Sequence, residues 1–418
     1  MPEARKKPRT VLVLDGETRK ALAVVRSLGR QGTRLIVVSH RESAIACKSR
    51  YAARAVRCPS PKAEPAAFQT WLLSFVRDAR PDMLLPLTDR SVTQVLALEE
   101  TLRPLTILPF VSNETFRAVA DKGELVRTAQ TLGIDTPHTA EVRGAKPPSP
   151  EDTEIVKTFR YPAVLKPRLS ESQQGDRFQK VAVDYLRGPI QALATLSRNP
   201  EVAFLLQEKI AGDGVGVFAL CHRGEALSLF CHRRRLEKPP SGGVSVLCES
   251  LPVDEAPVED TLRLLEHYRW DGVAMVEYKR AEDGRFVLME INPRFWGSLQ
   301  LAIDCGIDFP RLLERLYEDG LEPGDEKLNA ARTPVGRYPA GRRLRWFLGT
   351  VDHFLIRLKR EPAGALIDTV FRNRLYLLAR PTRTRWQVFR WDDPGPFFFE
   401  VGKWFTDVYY SLRKKAGA

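Results

Sequence analysis

Apolar positions change their period once along the chain, near Asn113. Before it, the apolar run at 11–14, the turn Asp15-Gly16, an amphipathic stretch at 21–28 and a second apolar run at 34–39 predict strand, turn, helix and parallel strand. A further amphipathic helix is expected over 71–76, a buried strand over 83–87, a helix over 92–102 and a short strand at 107–109. Residues 9–112 therefore predict a small doubly wound α/β domain. Its ligand-facing groups should lie just past the strand C-termini, where Asp15, Gly16, Thr88 and Asp89 stand. The turn after the first strand has one glycine where a dinucleotide-binding turn needs three, which argues against NAD and FAD.

Beyond Asn113 the pattern is mixed. A helix capped at Ser112 or Asn113 is followed by one ending at Gly133, and Pro147, Pro148 and Pro150 mark a break. Strands are expected at 161–167 and 204–208. One hairpin is expected over 214–230 about Arg223-Gly224, and another over 272–290 about Asp283-Gly284, with a helix over 259–268 between them. Antiparallel strands with interspersed helices make residues 113–325 α+β. Residues 326–418 interleave arginines with aromatics and predict a mainly helical extension, with an amphipathic helix over 343–359.

Composition sharpens this division. Hydrophobic residues make up 43% of the 418, ordinary for a globular protein, and the net charge is +13. From Lys327 onward there are nineteen Lys and Arg against seven Asp and Glu, so nearly all of that charge belongs to the extension. No apolar run reaches the roughly 18 residues of a spanning helix, and the first is too short for a signal-peptide core, so the expected address is the cytoplasm. The six cysteines show no framework spacing and are expected to be reduced thiols.

The densest chemistry lies in the second hairpin. Folding about Asp283-Gly284 brings Glu277 close to opposite Glu290, with Asn292 just beyond, so that two carboxylates and an amide oxygen can converge. That oxygen set suits Mg²⁺, which takes one or two carboxylates and leaves room for substrate phosphates. Glu290 stands between Met289 and Ile291 in an apolar strand, where an idle carboxylate is costly. Arg294 can reach the same point and stabilise charge on a transferred phosphoryl group. Lys122 and Lys166 can bind phosphate as point charges. Cys221-His222 and Cys231-His232 suggest zinc, but adjacent strand residues point to opposite faces, so the four do not converge.

In order and spacing, Asp121-Lys122, Val164-Leu165-Lys166-Pro167, the segment Leu206 to Gly214, Met275-Val276-Glu277-Tyr278 and Met289-Glu290-Ile291-Asn292-Pro293-Arg294 resemble the ATP-grasp superfamily. The nearest flavour is the carbamoyl-phosphate-synthase-like carboxylate–amine ligases. The resemblance spans about residues 10–325 and implies a pre-ATP-grasp domain over 9–112, then an ATP-grasp domain over 113–325 with a lid at about 155–210. It also implies ATP and Mg²⁺, or Mn²⁺, as cofactors. Lys122 and Lys166 are then expected on the phosphates, Glu208, Lys209 and Ile210 at the adenine hinge, and Asp213 at the ribose. Glu277, Glu290 and Asn292 are expected on the metal, with Arg294, Arg234 and Arg235 beside the reacting groups.

The implied chemistry is attack of a small-molecule carboxylate on the γ-phosphate of ATP, followed by capture of the acyl phosphate by an amine or thiol. Loop 168–176 departs from the family pattern, with one glycine where the phosphate-covering loop usually has several. A noncatalytic nucleotide-binding or membrane-associated scaffold and an ATP-grasp kinase are the alternatives. For the extension, residues 327–418, three readings stand: a helical unit packed on the body, a peripheral contact with anionic membrane at its inner face, and, least supported, single-stranded nucleic acid. The sequence leaves the oligomeric state open.

Overall fold

The computed structural model describes residues 9–169, 183–240, 242–318, 337–360 and 383–416, together with the strand pair 172–174 and 177–179. Strands β1 (Thr10–Val13), β2 (Arg34–Ser39), β3 (Ala52–Arg57) and β4 (Met83–Leu85) form a parallel sheet of order β3-β2-β1-β4. Side chains alternate across it. Val11 and Val13 pack with helix α1 (Arg19–Gly29), whereas Leu12 and Leu14 pack with α2 (Pro65–Ala79) and α3 (Asp89–Leu96) on the other face. The domain is doubly wound, as the pattern predicts. The single helix expected over 92–102 is two, α3 and α4 (Glu99–Leu102), and the strand expected at 107–109 reduces to one parallel bridge between Met83 and Ile107. Pro109 has no N–H with which to continue a ladder.

Helices α5 (Asn113–Ala120) and α6 (Lys122–Thr131) lead to a second sheet. It consists of β5 (Thr139–Arg143) and β6 (Ala163–Pro167), then, past the short antiparallel pair β7 (Ser172–Gln174) and β8 (Arg177–Gln179), β9 (Asp184–Leu186) and β10 (Ala203–Glu208). Its order is β5-β10-β6-β9, all antiparallel. Helices α7 (Pro150–Thr158) and α8 (Pro189–Arg198) belong to this unit, and the core on one face holds Val142, Leu165, Phe204 and Leu206. Lys166, next to Leu165, therefore points from the opposite face.

A central sheet joins β11 (Asp213–His222), β12 (Glu225–Lys238), β13 (Val244–Leu251), β14 (Gly272–Arg280), β15 (Phe286–Asn292), β16 (Arg343–Arg345) and β17 (Thr384–Trp386) in the order β15-β14-β11-β12-β13-β16-β17. The β11–β12 hairpin turns on Arg223 and Gly224 at φ 51° and 89°, the pair of positive values a two-residue turn of this hand requires. One face packs Phe218, Phe230 and Met275 against α1, α10 (Leu299–Asp304) and α11 (Phe309–Glu318). The other packs Val217, Val276 and Tyr278 with α9 (Val258–His267) and the α2–α3 side of the first domain. Both cores thus run through the parallel sheet and the central sheet.

The extension is built into this body. Its strands β16 and β17 prolong the central sheet beyond β13, so the amphipathic helix expected from 343 begins only at α12 (Phe347–Arg360). Helix α13 (Gly395–Ala416) follows a clasp in which Asp393 accepts from Arg26 Nε (2.8 Å), Ser49 Oγ (2.7 Å) and the Arg50 N–H (2.9 Å). Arg26 and Asp393 are 1% and 2% exposed. All six cysteines are unpaired thiols, and no helix of the described residues is long and apolar enough to cross a membrane.

Candidate active site

In the β14–β15 ladder Glu277 pairs directly with Glu290, and Asn292 lies two residues on, opposite Met275. A bulge sets this pairing: nearer the turn Tyr278 faces Leu288, and the register shift between Tyr278 and Glu277 passes over Met289 and brings Glu290 opposite Glu277. Asn292 Nδ2 donates to Glu277 (3.3 Å) and to Glu290 (3.1 Å), so the three side chains meet. The amide oxygen turns away and accepts from Arg294 Nη2 at 2.7 Å. Burial raises the Glu277 carboxyl pKa, Arg234 opposes that rise, and the neighbouring Glu290 adds to it. Arg234 bonds Glu277 directly and reaches Glu237 at 3.1 Å.

Arg294 leaves the end of β15 and grips Asp89 with two parallel bonds, Nε to Oδ1 at 2.7 Å and Nη2 to Oδ2 at 2.8 Å. Despite desolvation, Arg294, Arg294's hydrogen bonds and Lys20 hold the Asp89 carboxyl down at about 2. Lys20, on α1, is buried and donates to Phe295 O at 3.1 Å. Burial first, then the charge of Arg294, brings its pKa down to about 7. Asp89 was legible as a group past a strand end; Lys20 was not, because within an amphipathic helix nothing marks a lysine as inward-facing. The other three groups expected there serve the domain itself. The Asp15 carboxylate accepts from the Leu87 and Thr88 N–H groups at 2.9 and 2.8 Å, Thr88 caps α3, and Gly16 packs so closely on Val37 that a Cβ would sit 2.8 Å from its Cγ1.

Lys122 and Lys166 are both about nine-tenths buried. A backbone bridge between Asp121 and Leu169 and the bond from Lys122 N to Arg168 O (3.1 Å) tie the start of α6 to the end of β6, which sets the two lysines side by side. Arg168 locks this join by gripping Asp121 at 2.6 and 2.8 Å. Burial lowers both lysines, Lys166 to about 8, while the Glu290 charge raises both. Two adjacent buried ammonium groups above a carboxylate pair form a place for polyanions. The oxygen donors beneath suit a hard divalent ion that shares its shell with phosphate. Among the described residues there is no cluster of three or more His, Cys, Asp and Glu side chains able to hold a metal, so the set is two carboxylates and one amide.

The segment from β10 to β11 carries Glu208, Lys209, Ile210 and Asp213. Glu208 is fixed on His138: its N–H donates to the His138 carbonyl at 3.0 Å and its carboxylate accepts from the His138 N–H at 2.9 Å, while Lys209 N donates to Pro162 O. Gly212 (φ 133°) passes Arg280 so closely that a Cβ would lie 2.0 Å from its carbonyl oxygen, which fixes the chain before the exposed Asp213. Arg234 and Arg235 part company. The strand alternation and a bulge after Arg234 send Arg235 with Arg233 to Glu249, at 3.5 and 2.6 Å, away from Glu277. Arg235 is thus not among the residues brought together. The cysteine–histidine pairs also stay apart, since His222 bonds Asp271 (2.9 Å) and His232 bonds Ser298 (3.0 Å). Of loop 168–176, Ser170, Glu171, Gly175 and Asp176 lie outside the described residues.

Residues 200–335 match the family model described as "ATP-grasp in the biosynthetic pathway with Ter operon". No curated protein matches the chain in sequence. Among solved structures, the chain is similar to an L-amino acid ligase from Bacillus licheniformis (TM-score 0.57, 16% identity, 81% of this chain and 79% of that one). It is also similar to biotin carboxylase from Campylobacter jejuni, solved as a β-γ-ATP complex (0.61, 13%, 81% and 74%). A third likeness is to N5-carboxyaminoimidazole synthetase from Staphylococcus aureus complexed with ADP (0.56, 13%, 74% and 78%). The chain has the ATP-grasp fold, with a doubly wound domain before it and a partly helical extension after it.

Proposed function

We propose that the protein is a Mg-ATP-dependent ligase that activates a small carboxylate as an acyl phosphate and joins it to an amine. The observation that carries this reading is the meeting of Glu277, Glu290 and Asn292 beneath Lys122 and Lys166, with Arg294 held beside them. Glu277 and Glu290 would hold the magnesium ion, with the Asn292 amide oxygen as a third donor if that amide turned over. A magnesium ion held there would supply charge neutralisation for the phosphoryl transfer. Lys122 and Lys166 neutralise the polyphosphate, the backbone of Glu208 to Ile210 borders the adenine, and Asp213 stands at the ribose. Arg294, oriented by Asp89, faces the oxygens of the phosphoryl group in flight. Arg234, drawn to Glu277, is available to the carboxylate that attacks. The likeness of the chain to an L-amino acid ligase accords with this carboxylate–amine chemistry. Product analysis separates the alternatives: phosphate release that needs both an acid and an amine marks a ligase, a stable phosphorylated product marks a kinase, and binding without turnover marks a scaffold.

A second reading concerns the extension. On α13, Phe398, Phe405 and Tyr409 are 65%, 62% and 59% exposed at helical spacing, in the region that holds nearly all of the net positive charge. That face suits an anionic membrane surface. Vesicles containing anionic lipid should retain the protein and lose Phe405→Ser; equal retention of both excludes this face as the contact.

A further inference from the structure

A cavity of about 300 Å³ lies away from the carboxylate pair, where the C-terminal extension covers the ends of β1 and β2. This is the edge at which parallel α/β sheets take ligands, and the volume is at the small end of ligand pockets, roughly 300–1,000 Å³. The first domain contributes Glu17, Arg19 and Arg41, and the extension contributes Trp346, Glu400 and Trp404. None of the site residues above lines it.

Its charges are not all spent within the fold. Lys238 pairs with Asp352, which also accepts from Trp404 Nε1 at 2.9 Å, and Lys403 pairs with Asp407 at 3.1 Å. The remainder are two cations and two acids. The Arg19 guanidinium stacks on Trp346, 3.4 Å from the ring centroid, and its Nε is buried without a hydrogen-bond partner. Arg41 is exposed at the rim. Glu400 accepts from Trp346 Nε1 at 3.1 Å, and Glu17 accepts from Ser39 at 2.8 Å and lies 3.3 Å from His40 Nδ1. Burial lowers Arg19 to about 10 and raises Glu400, and the two charges partly offset each other's shift, so an opposed cation and acid line the same cavity. A buried guanidinium donor left open is costly and marks a place for an acceptor from outside.

We propose that this cavity binds a small zwitterion of the amino-acid class, its carboxylate on Arg19 and Arg41, its ammonium toward Glu17 and Glu400, and its body between the rings of Trp346 and Trp404. A ligand of one sign would leave one half of this set unmatched. Binding stands independently of the ligase reading; use of the bound molecule as a reactant rests on that reading. The link is short, because β12 carries both Lys238 at the cavity and Arg234 at Glu277, and His353, next to Asp352 on α12, bonds the Glu237 carbonyl between them at 2.5 Å.

The test is calorimetric titration of the full chain with a panel of free amino acids, their N-acetyl forms and their amides, alongside Mg-ADP. At least one free amino acid is expected to bind, with both blocked forms weaker by about tenfold, the size of one lost charge-assisted bond. Arg19→Gln and the rim variant Arg41→Gln should each weaken it similarly while Mg-ADP affinity and melting temperature stay unchanged. The proposal is overturned if no free amino acid binds, if either blocked form binds equally well, or if Arg41→Gln, folded and binding Mg-ADP, binds the amino acid as the wild type does. Mg-ADP binding and ADP release in the same preparations report separately on the ligase reading.

Discussion

Arg294 and Asp89, 205 residues apart in sequence, are joined by two parallel bonds of 2.7 and 2.8 Å that fasten the end of the carboxylate-bearing hairpin to the first turn of α3. The doubly wound domain thereby holds the arginine proposed to face the reacting phosphate. Asp89→Asn keeps the size and one acceptor but loses the charge and the second prong. It is expected to lower kcat by about tenfold or more while the KM for ATP changes little, because misaimed charge stabilisation is felt in the transition state. Steady-state kinetics at saturating ATP checks this; a pure KM effect speaks for a ground-state nucleotide contact instead.

Lys166 offers a pH test. Burial lowers its pKa to about 8 in the free protein, and phosphate oxygens brought beside it raise that value. Nucleotide binding therefore takes up protons above pH 8 and takes up almost none from this group near pH 6, where Lys166 is already charged. Titration with Mg-ADP at about pH 9 in buffers of different ionisation enthalpy should show uptake approaching one proton, and Lys166→Met should remove most of it. Uptake that is the same in Lys166→Met assigns the proton elsewhere.

Arg234 and Arg235 separate by face. Arg234→Gln removes the partner of Glu277 and should cut turnover by about 100-fold, the scale of losing a buried charged partner. Arg235→Gln affects only a peripheral bond at 3.5 Å to Glu249, which keeps Arg233 and Arg343, and should stay within about twofold. Side-by-side assays of the two variants decide the assignment, and a reversed order refutes it.

The clasp at Asp393 makes the extension part of the folding unit. Asp393→Ala strands the buried Arg26 guanidinium and should cost about 3–5 kcal/mol, seen in denaturant unfolding. A change below about 1 kcal/mol means that the extension packs loosely.

These cases also show how far the sequence could be read. The nearness of Glu277 to Glu290 was readable from a turn at Asp283-Gly284 and a count along two strands, whereas their direct pairing depends on a bulge that passes over Met289 and that no count shows. Lys122 beside Lys166 was readable only as an order of motifs; the contact depends on the Asp121–Leu169 bridge between distant segments. Alternation separates Arg234 from Arg235, but which of them faces Glu277 depends on the register of three strands: Gly216 pairs with both His232 and Glu277, and Arg234 is two residues beyond His232. The segment 342–346 has helix-like amphipathicity, yet Arg343 to Arg345 pair with β13, because the open edge of a sheet outweighs local propensity over three residues. Asp89, Lys20 and Arg294 meet through tertiary packing alone.

The central claim is tested most directly by ADP release from Mg-ATP by Glu290→Gln beside the wild type, with acid and amine supplied and circular dichroism and melting compared. Glu290→Gln should keep the fold and lose turnover by about 100-fold or more, because an amide cannot replace a metal-binding carboxylate beside Glu277. Wild-type-like ADP release from the folded variant would contradict the assignment of Glu277, Glu290 and Asn292 as the magnesium site.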